Sequence, residues 1–220
     1  MVDTGTREDH LRRRKARTRA ALVDAAQSFL AQGRTAVPVL EITQAADVGM
    51  GSFYNHFESK EHLFRAAVDE ALEAHGEMLD ELTTGSDDPA EVFARSFRIT
   101  GRLHRIHPEL SRVILSEGAS LISSEFGLAP RARRDLGAAA AAGRFTFHDQ
   151  DLALALVAGA TIGLAQLLHD QPGRNDADAT DRITEDLLRT FGLASGEARR
   201  LCELPLPDIG GVPLTQAGPD

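Results

Sequence analysis

Tryptophan is missing, tyrosine and cysteine occur once each, and aromatic residues make up only 5% of the 220 residues. A single cysteine, Cys202, excludes an internal disulfide framework and a multi-cysteine zinc site, and it suits a reducing compartment. Scarce aromatics and few β-branched alternations argue against a sheet, whereas abundant Ala, Leu, Arg and Glu favour helices. The first thirty residues hold a basic run and no long apolar one, so no secretory leader is expected and the chain reads as cytoplasmic. HExxH, GxSxG and GxGxxG are all absent, and Gly49-Met50-Gly51 follows no strand-like segment. His104 and His107 stand three apart on one helical stretch, but core histidines explain them better than a shared metal. No enzyme, cofactor or metal site is therefore expected.

What is present is a globular balance, 42% hydrophobic and 26% charged. A chain of this size buries about 70% of the surface its unfolded form exposes, enough for a small domain beside a larger one. The net charge is −9, yet residues 1–70 are neutral, so the whole excess lies beyond them. Seven basic residues crowd Arg7 to Arg19, a basic arm on an otherwise acidic chain.

Periodicity predicts a first helix from an N-cap at Thr18 to a stop at Gly33, with Leu22, Ala26, Phe29 and Leu30 on one stripe. A two-turn helix follows Pro38 up to Asp47-Val48-Gly49, a short one covers Met50 to Phe57, and Ser59 caps a long one from Lys60 to about Leu82. Pro89 opens the next helix, and further helices fit to about Ser116, 128–142, 149–169, 180–191 and 195–204. The Pro- and Gly-rich end from Pro205 reads as a flexible tail. The expected organisation is all-α: a flexible arm (1–16), a three-helix helix-turn-helix domain (17–64, with helix four continuing to about 82), a larger helical domain (83–204) and the tail (205–220).

Two short helices joined by a tight turn suit a helix-turn-helix, because one face of the second must pack while the other meets the major groove. Phe53 and Phe57 supply the packing. Gly51, Ser52 and Asn55 lie opposite, with Tyr54 at the side, where base edges would be.

The run Ile42-Thr-Gln-Ala-Ala-Asp-Val-Gly-Met-Gly-Ser-Phe-Tyr-Asn-His-Phe-Glu-Ser-Lys-Glu-His-Leu-Phe64, preceded by Ala-Ala-x-x-Phe-Leu-x-x-Gly at 25–33, resembles the DNA-binding signature of the tetracycline-repressor (TetR) family of transcriptional regulators. The signature spans about residues 17–68. The resemblance implies that Ser52, Tyr54 and Asn55 meet bases or backbone, that Tyr54 and His56 touch phosphates, and that Lys60 reaches another phosphate. Two positions depart from the pattern: Thr43 replaces the usual Ala, and Asp47 the usual turn Gly. Leu40 stands where a basic or polar residue often contacts DNA, leaving Thr43 or Gln44 to make a phosphate contact. The basic arm, with Arg17, is expected on phosphates or in the minor groove. The resemblance thus implies double-stranded DNA carrying a pseudo-palindromic operator as the partner.

In that family the larger domain holds a small-molecule effector and dimerises. Here the candidate ligand residues are Phe93, Ser96, Phe97, Thr100 and His104 on one helix, Glu117 on the next and Gln166 in the apolar segment. Residues 152–168 approach membrane-spanning length but lack interfacial Trp, Tyr, Lys or Arg, so no membrane is expected. Small residues Ala155, Gly159 and Gly163 would let a partner helix approach, and the resemblance implies a homodimer through about 150–169 and 180–191. The expected function is a ligand-responsive repressor, with a constitutive or protein-partnered regulator as the alternative.

Overall fold

A computed structural model describes residues 4–207, except 107, 109–110, 113–114, 116–117 and 119–123, with side chains from residue 9 onward. Among these residues no strand occurs. The α-helices are α1 (Thr4–Ala31), α2 (Val39–Ala45), α3 (Met50–Tyr54), α4 (Lys60–Thr83), α5 (Pro89–Ile106), α6 (Leu128–Ala141), α7 (Gln150–Asp170), α8 (Asp176–Thr190) and α9 (Ser195–Glu203). The all-α architecture is the one the composition requires. Two compact units, Met1–Glu70 and Ala71–Asp220, divide within α4.

In the first unit, α1 begins at Thr4 and not at Thr18. Thr18 caps nothing, since its Oγ1 donates to the Arg14 carbonyl (3.1 Å) in mid-helix. No Gly or Pro interrupts the chain from Thr6 to Ala31, good helix formers fill it, and Arg13 pairs with Asp9 one turn away (3.0 Å). The stretch expected as a flexible arm is therefore helical from Thr4. Leu22 and Ala26 of α1, Ile42 of α2, Phe53 of α3 and Leu63 of α4 are completely buried. Gln27 Nε2 donates to the Ala67 carbonyl (3.1 Å), tying α1 to α4. Ser59 caps α4 as expected, its Oγ accepting from the His62 N–H (3.1 Å).

The second unit is built around phenylalanines. Phe93 meets Phe145 (5.4 Å) and Phe191 (5.8 Å) edge-on and stacks on Phe97 (6.4 Å). Such pairs add about 0.5–1.5 kcal/mol each beyond burial. Asp88, just before α5, accepts from the Ala90 N–H (3.0 Å) and holds Arg144 through two bonds of 2.9 Å. Arg98 of α5 is only 4% exposed, which is tolerable because it is paired: Nε donates to Asp181 (2.8 Å) and a terminal nitrogen to the Leu204 carbonyl (2.7 Å) beyond α9. α8 starts at Asp176, earlier than the expected Thr180, since Asn175 accepts from the Asp178 N–H (2.9 Å) and Asp176 and Asp178 favour the positive helix end.

α7 is apolar all round. Leu154, Val157, Leu164 and Leu168 face the core, while Leu152 (70% exposed), Leu156, Gly159 and Gly163 are exposed. By length and hydropathy alone this helix could cross a membrane, although a third of its most apolar window is buried within the chain.

Candidate nucleic-acid interface and internal cavity

The turn between α2 and α3 is a left-handed helix cap. Asp47 adopts φ 52°, its N–H donates to Gln44 O (3.2 Å), and the Val48 N–H donates to Thr43 O (3.0 Å). Paired bonds of this kind around a left-handed residue mark a Schellman-type cap, with Asp in the place Gly normally takes. α3 is shorter than the expected 50–57, but one further turn is hydrogen-bonded: Phe57 N–H reaches Phe53 O (2.9 Å). Phe53 (0% exposed) and Phe57 (2%) are thereby fixed in the core.

That packing turns the other face outward. Gly51, Tyr54 and Asn55 are exposed, while Ser52, His56 and Lys60 are half-buried. Gly51 has open space where a Cβ would stand. Burial, then the charges of Lys15 and Arg19, holds His56 below the usual histidine range. Lys15 and Arg19 of α1 thus lie near the end of the α3 segment, with Arg19 paired to Glu70 of α4. Arg17 and Gln44 are exposed as well. Thr43 requires a correction: it is 2% exposed and its hydroxyl donates to the Leu40 carbonyl (2.9 Å), so it faces the core and has no surface from which to touch a phosphate.

In the second unit a cavity of about 60 Å³ opens between α4, α5, α6 and α7. Its apolar walls include Leu79, Phe93, Phe97, Leu128 and Val157, and its polar ones Asp80, Ser96, Thr100, Arg131, Arg134, Asp135 and Thr161. The structure therefore brings Phe93, Ser96, Phe97 and Thr100 together on one wall. Behind that wall, His75 Nε2 lies 3.0 Å from the Thr100 hydroxyl, which donates to Ser96 O (2.9 Å).

The polar rim is an ion-pair network. Arg131 donates to Asp80 through Nε and to Glu73 through a terminal nitrogen, both at 2.8 Å, and to the Gly127 carbonyl (2.9 Å). Arg134 bridges the second Asp80 oxygen (2.8 Å) and Asp135 (2.9 Å). For Asp80, burial favours protonation, but the bonds from Arg134 and Arg131 outweigh it and hold its carboxyl below the ordinary range. Asp135, 7% exposed, goes the other way, because its burial outweighs Arg134. These charged groups escaped the sequence reading. Arg131-Ala-Arg133-Arg134-Asp135 looks like a solvated helical face, and the one available signal was Asp135 falling a single residue before the core Leu136.

Other ligand candidates stand apart. His104 is 5% exposed but is not in the cavity wall; burial, then Arg105, pushes it down to about 4, so the ring is neutral. Gln166 is exposed and bonds Asp170 (2.8 Å) from the outer side of α7, so it is not part of this wall. Glu117 and His107 lie outside the described residues. On α7, Ala155 is half-buried, and Gly159 and Gly163 are exposed, with open space where a Cβ would stand. Among the described residues no group of three or more His, Cys, Asp or Glu could hold a metal ion.

Residues 21–67 match the family model described as bacterial regulatory proteins, tetR family, and residues 88–203 match that of the tetracyclin repressor-like C-terminal domain. The chain belongs to the TetR family. As a member it is a DNA-binding transcriptional regulator. It is similar to RolR, solved in complex with resorcinol: 35% identity, TM-score 0.73, covering 89% of this chain and 98% of RolR. RolR without ligand is matched equally well in fold, with a TM-score of 0.73 and 34% identity over 86% of this chain and 98% of RolR. The HTH-type transcriptional repressor DhaR of Mycobacterium sp. (strain GP1) is 60% identical over 35 residues, a stretch covering 16% of this chain and 18% of DhaR. Bacillus subtilis FadR in complex with stearoyl-CoA shares the fold, with a TM-score of 0.61 at 16% identity.

Proposed function

We propose that this TetR-family regulator is a cytoplasmic, homodimeric repressor that leaves its operator when a small hydroxylated aromatic molecule enters the α4–α7 cavity. The observation that carries this reading is the cavity's make-up: phenylalanine and aliphatic walls suited to a ring, rimmed by carboxylates and guanidinium groups suited to ring hydroxyls. A phenolic O–H can donate to Asp135, whose carboxylate accepts from Arg134, and its oxygen can accept from Arg131 or Arg134. The similarity to RolR, crystallised with resorcinol, supports the same ligand class.

Volume narrows the class further. About 60 Å³ holds a few waters and is well short of the roughly 150 Å³ of a cavity known to admit benzene, so even one ring must spread the walls, and a small ligand needs less rearrangement than a long one. The wall that yields most easily is the long, exposed side chain of Arg134, which also ties α6 to Asp80 of α4. Ligand entry thus works against the bonds joining those two helices. On the DNA side the exposed Gly51, Tyr54 and Asn55, with Ser52, His56, Lys60, Gln44 and Arg17, form the contact set. Dimerisation uses the uncovered face of α7 around Ala155, Gly159 and Gly163, with Leu152 and Leu156 as the apolar anchors.

Calorimetric titration with resorcinol tests the ligand assignment. The parent protein is expected to bind one resorcinol per chain, and Asp135→Ala to weaken binding at least tenfold with folding retained. No binding at millimolar resorcinol would reject it and favour a constitutive or protein-partnered regulator, and equal binding by the variant would place the ligand away from Asp135.

A further inference from the structure

Gly76 lies in the middle of α4, where glycine costs about 1 kcal/mol relative to alanine and no turn or positive φ calls for it. What occupies its missing side chain is the Arg131 guanidinium. A Cβ built on Gly76 would stand 2.5 Å from one terminal nitrogen and 2.6 Å from both the central carbon and Nε. The flat face of the guanidinium therefore rests on the α4 backbone, and its edge bonds fix its rotation: Asp80 to Nε, Glu73 to one terminal nitrogen and the Gly127 carbonyl to the other. Gly127 completes the seat. Its φ of +73° suits glycine, its own N–H donates to the second Glu73 oxygen (2.8 Å), and a Cβ there would meet Leu72 at 2.7 Å.

We infer that Gly76 is a positioning residue for effector recognition: by leaving its Cβ out, it seats Arg131 flat on α4 so that the remaining guanidinium N–H groups point into the cavity. This rests on the reading of the cavity as the effector site. The atoms a Cβ would displace are the far end of a flexible side chain, not backbone, so alanine at position 76 lets the helix form and moves only the guanidinium. A shift of about 1 Å is needed to restore contact distance, and it stretches charge-assisted bonds of 2.8–2.9 Å past the range in which they hold.

The test uses the full chain with resorcinol as probe and a double-mutant cycle. Gly76→Ala is expected to keep the helical fold, to bind resorcinol at least fivefold more weakly, and to add nothing further on an Arg131→Ala background. A second readout needs no ligand. The bond from Arg131, followed by the Gly127 N–H, holds the Glu73 carboxyl below its ordinary range, so its NMR titration in Gly76→Ala should move up toward that range. Unchanged resorcinol affinity with an unchanged Glu73 titration would overturn the inference. Equal weakening by Gly76→Ala with and without Arg131 would also overturn it, since the effect would then not pass through the guanidinium. If the parent binds no resorcinol, the ligand reading fails, and the Glu73 titration still decides whether Gly76 seats Arg131.

Discussion

Asp47 gives the sharpest energetic test of the helix-turn-helix. It is the one non-glycine with positive φ among the described residues, at 52°, and it closes α2 so that α3 can turn away. An L-residue with a Cβ pays about 1–2 kcal/mol in the left-handed region, while glycine pays about 0.4–1 kcal/mol through its freer unfolded chain. Glycine should therefore exceed alanine here by about 1 kcal/mol, with Asp between them because its short side chain can bond locally. In an ordinary helix interior the order is opposite, alanine exceeding glycine by about 1 kcal/mol. For a unit of some seventy residues, 1 kcal/mol corresponds to about 4–8 °C in melting temperature. Thermal and urea unfolding of Asp47→Gly and Asp47→Ala should be compared at one fixed protein concentration, since self-association shifts apparent stability. Asp47→Ala proving as stable as Asp47→Gly would refute the strained-cap account.

Four further outcomes are expected. Lys60→Ala should retain the fold, weaken operator binding across all sequences and reduce its salt slope by about one, whereas Tyr54→Ala should weaken binding to a selected operator more than to random DNA; anisotropy at several salt concentrations reads both. Phe93→Ala removes the hub of the aromatic cluster and should destabilise the second unit by about 3–5 kcal/mol in denaturant titration. His104, held near 4 from an ordinary 6.5, binds its proton more tightly when unfolded, so stability should fall as pH drops from 6.5 to 4, by up to about 3 kcal/mol, and be flat above pH 7; His104→Leu should remove that slope.

The helical architecture was legible because Phe53/Phe57 and Pro89 are strong local signals, and the family resemblance marked Asp47 as a turn residue standing where Gly is usual. Thr18 misled because a Thr before an apolar stripe looks the same whether it caps a helix or bonds back within one. Thr43 misled because hydroxyl residues read as surface groups, whereas here the hydroxyl is satisfied by Leu40 and the side chain can be buried. One wall of the cavity, Phe93, Ser96, Phe97 and Thr100, followed from helical periodicity on α5. The opposite rim did not, since Glu73, Asp80, Arg131 and Arg134 meet only through the pairing of α4 with α6, and no spacing within either segment encodes that contact. Gly76 carries the same lesson: in isolation it is a helix-weakening glycine, and only the guanidinium lying on it gives a reason.

Control of DNA binding by an aromatic ligand held in this cavity is read by fluorescence anisotropy of an operator obtained by selection from random sequence. Salt-dependent binding by a dimer is expected, with an affinity loss of at least tenfold at saturating resorcinol and the same factor as weaker resorcinol binding by the DNA complex, a coupling of about 1.4 kcal/mol. Operator affinity unchanged at saturating resorcinol, in a protein that demonstrably binds it, would show that the cavity does not control DNA binding.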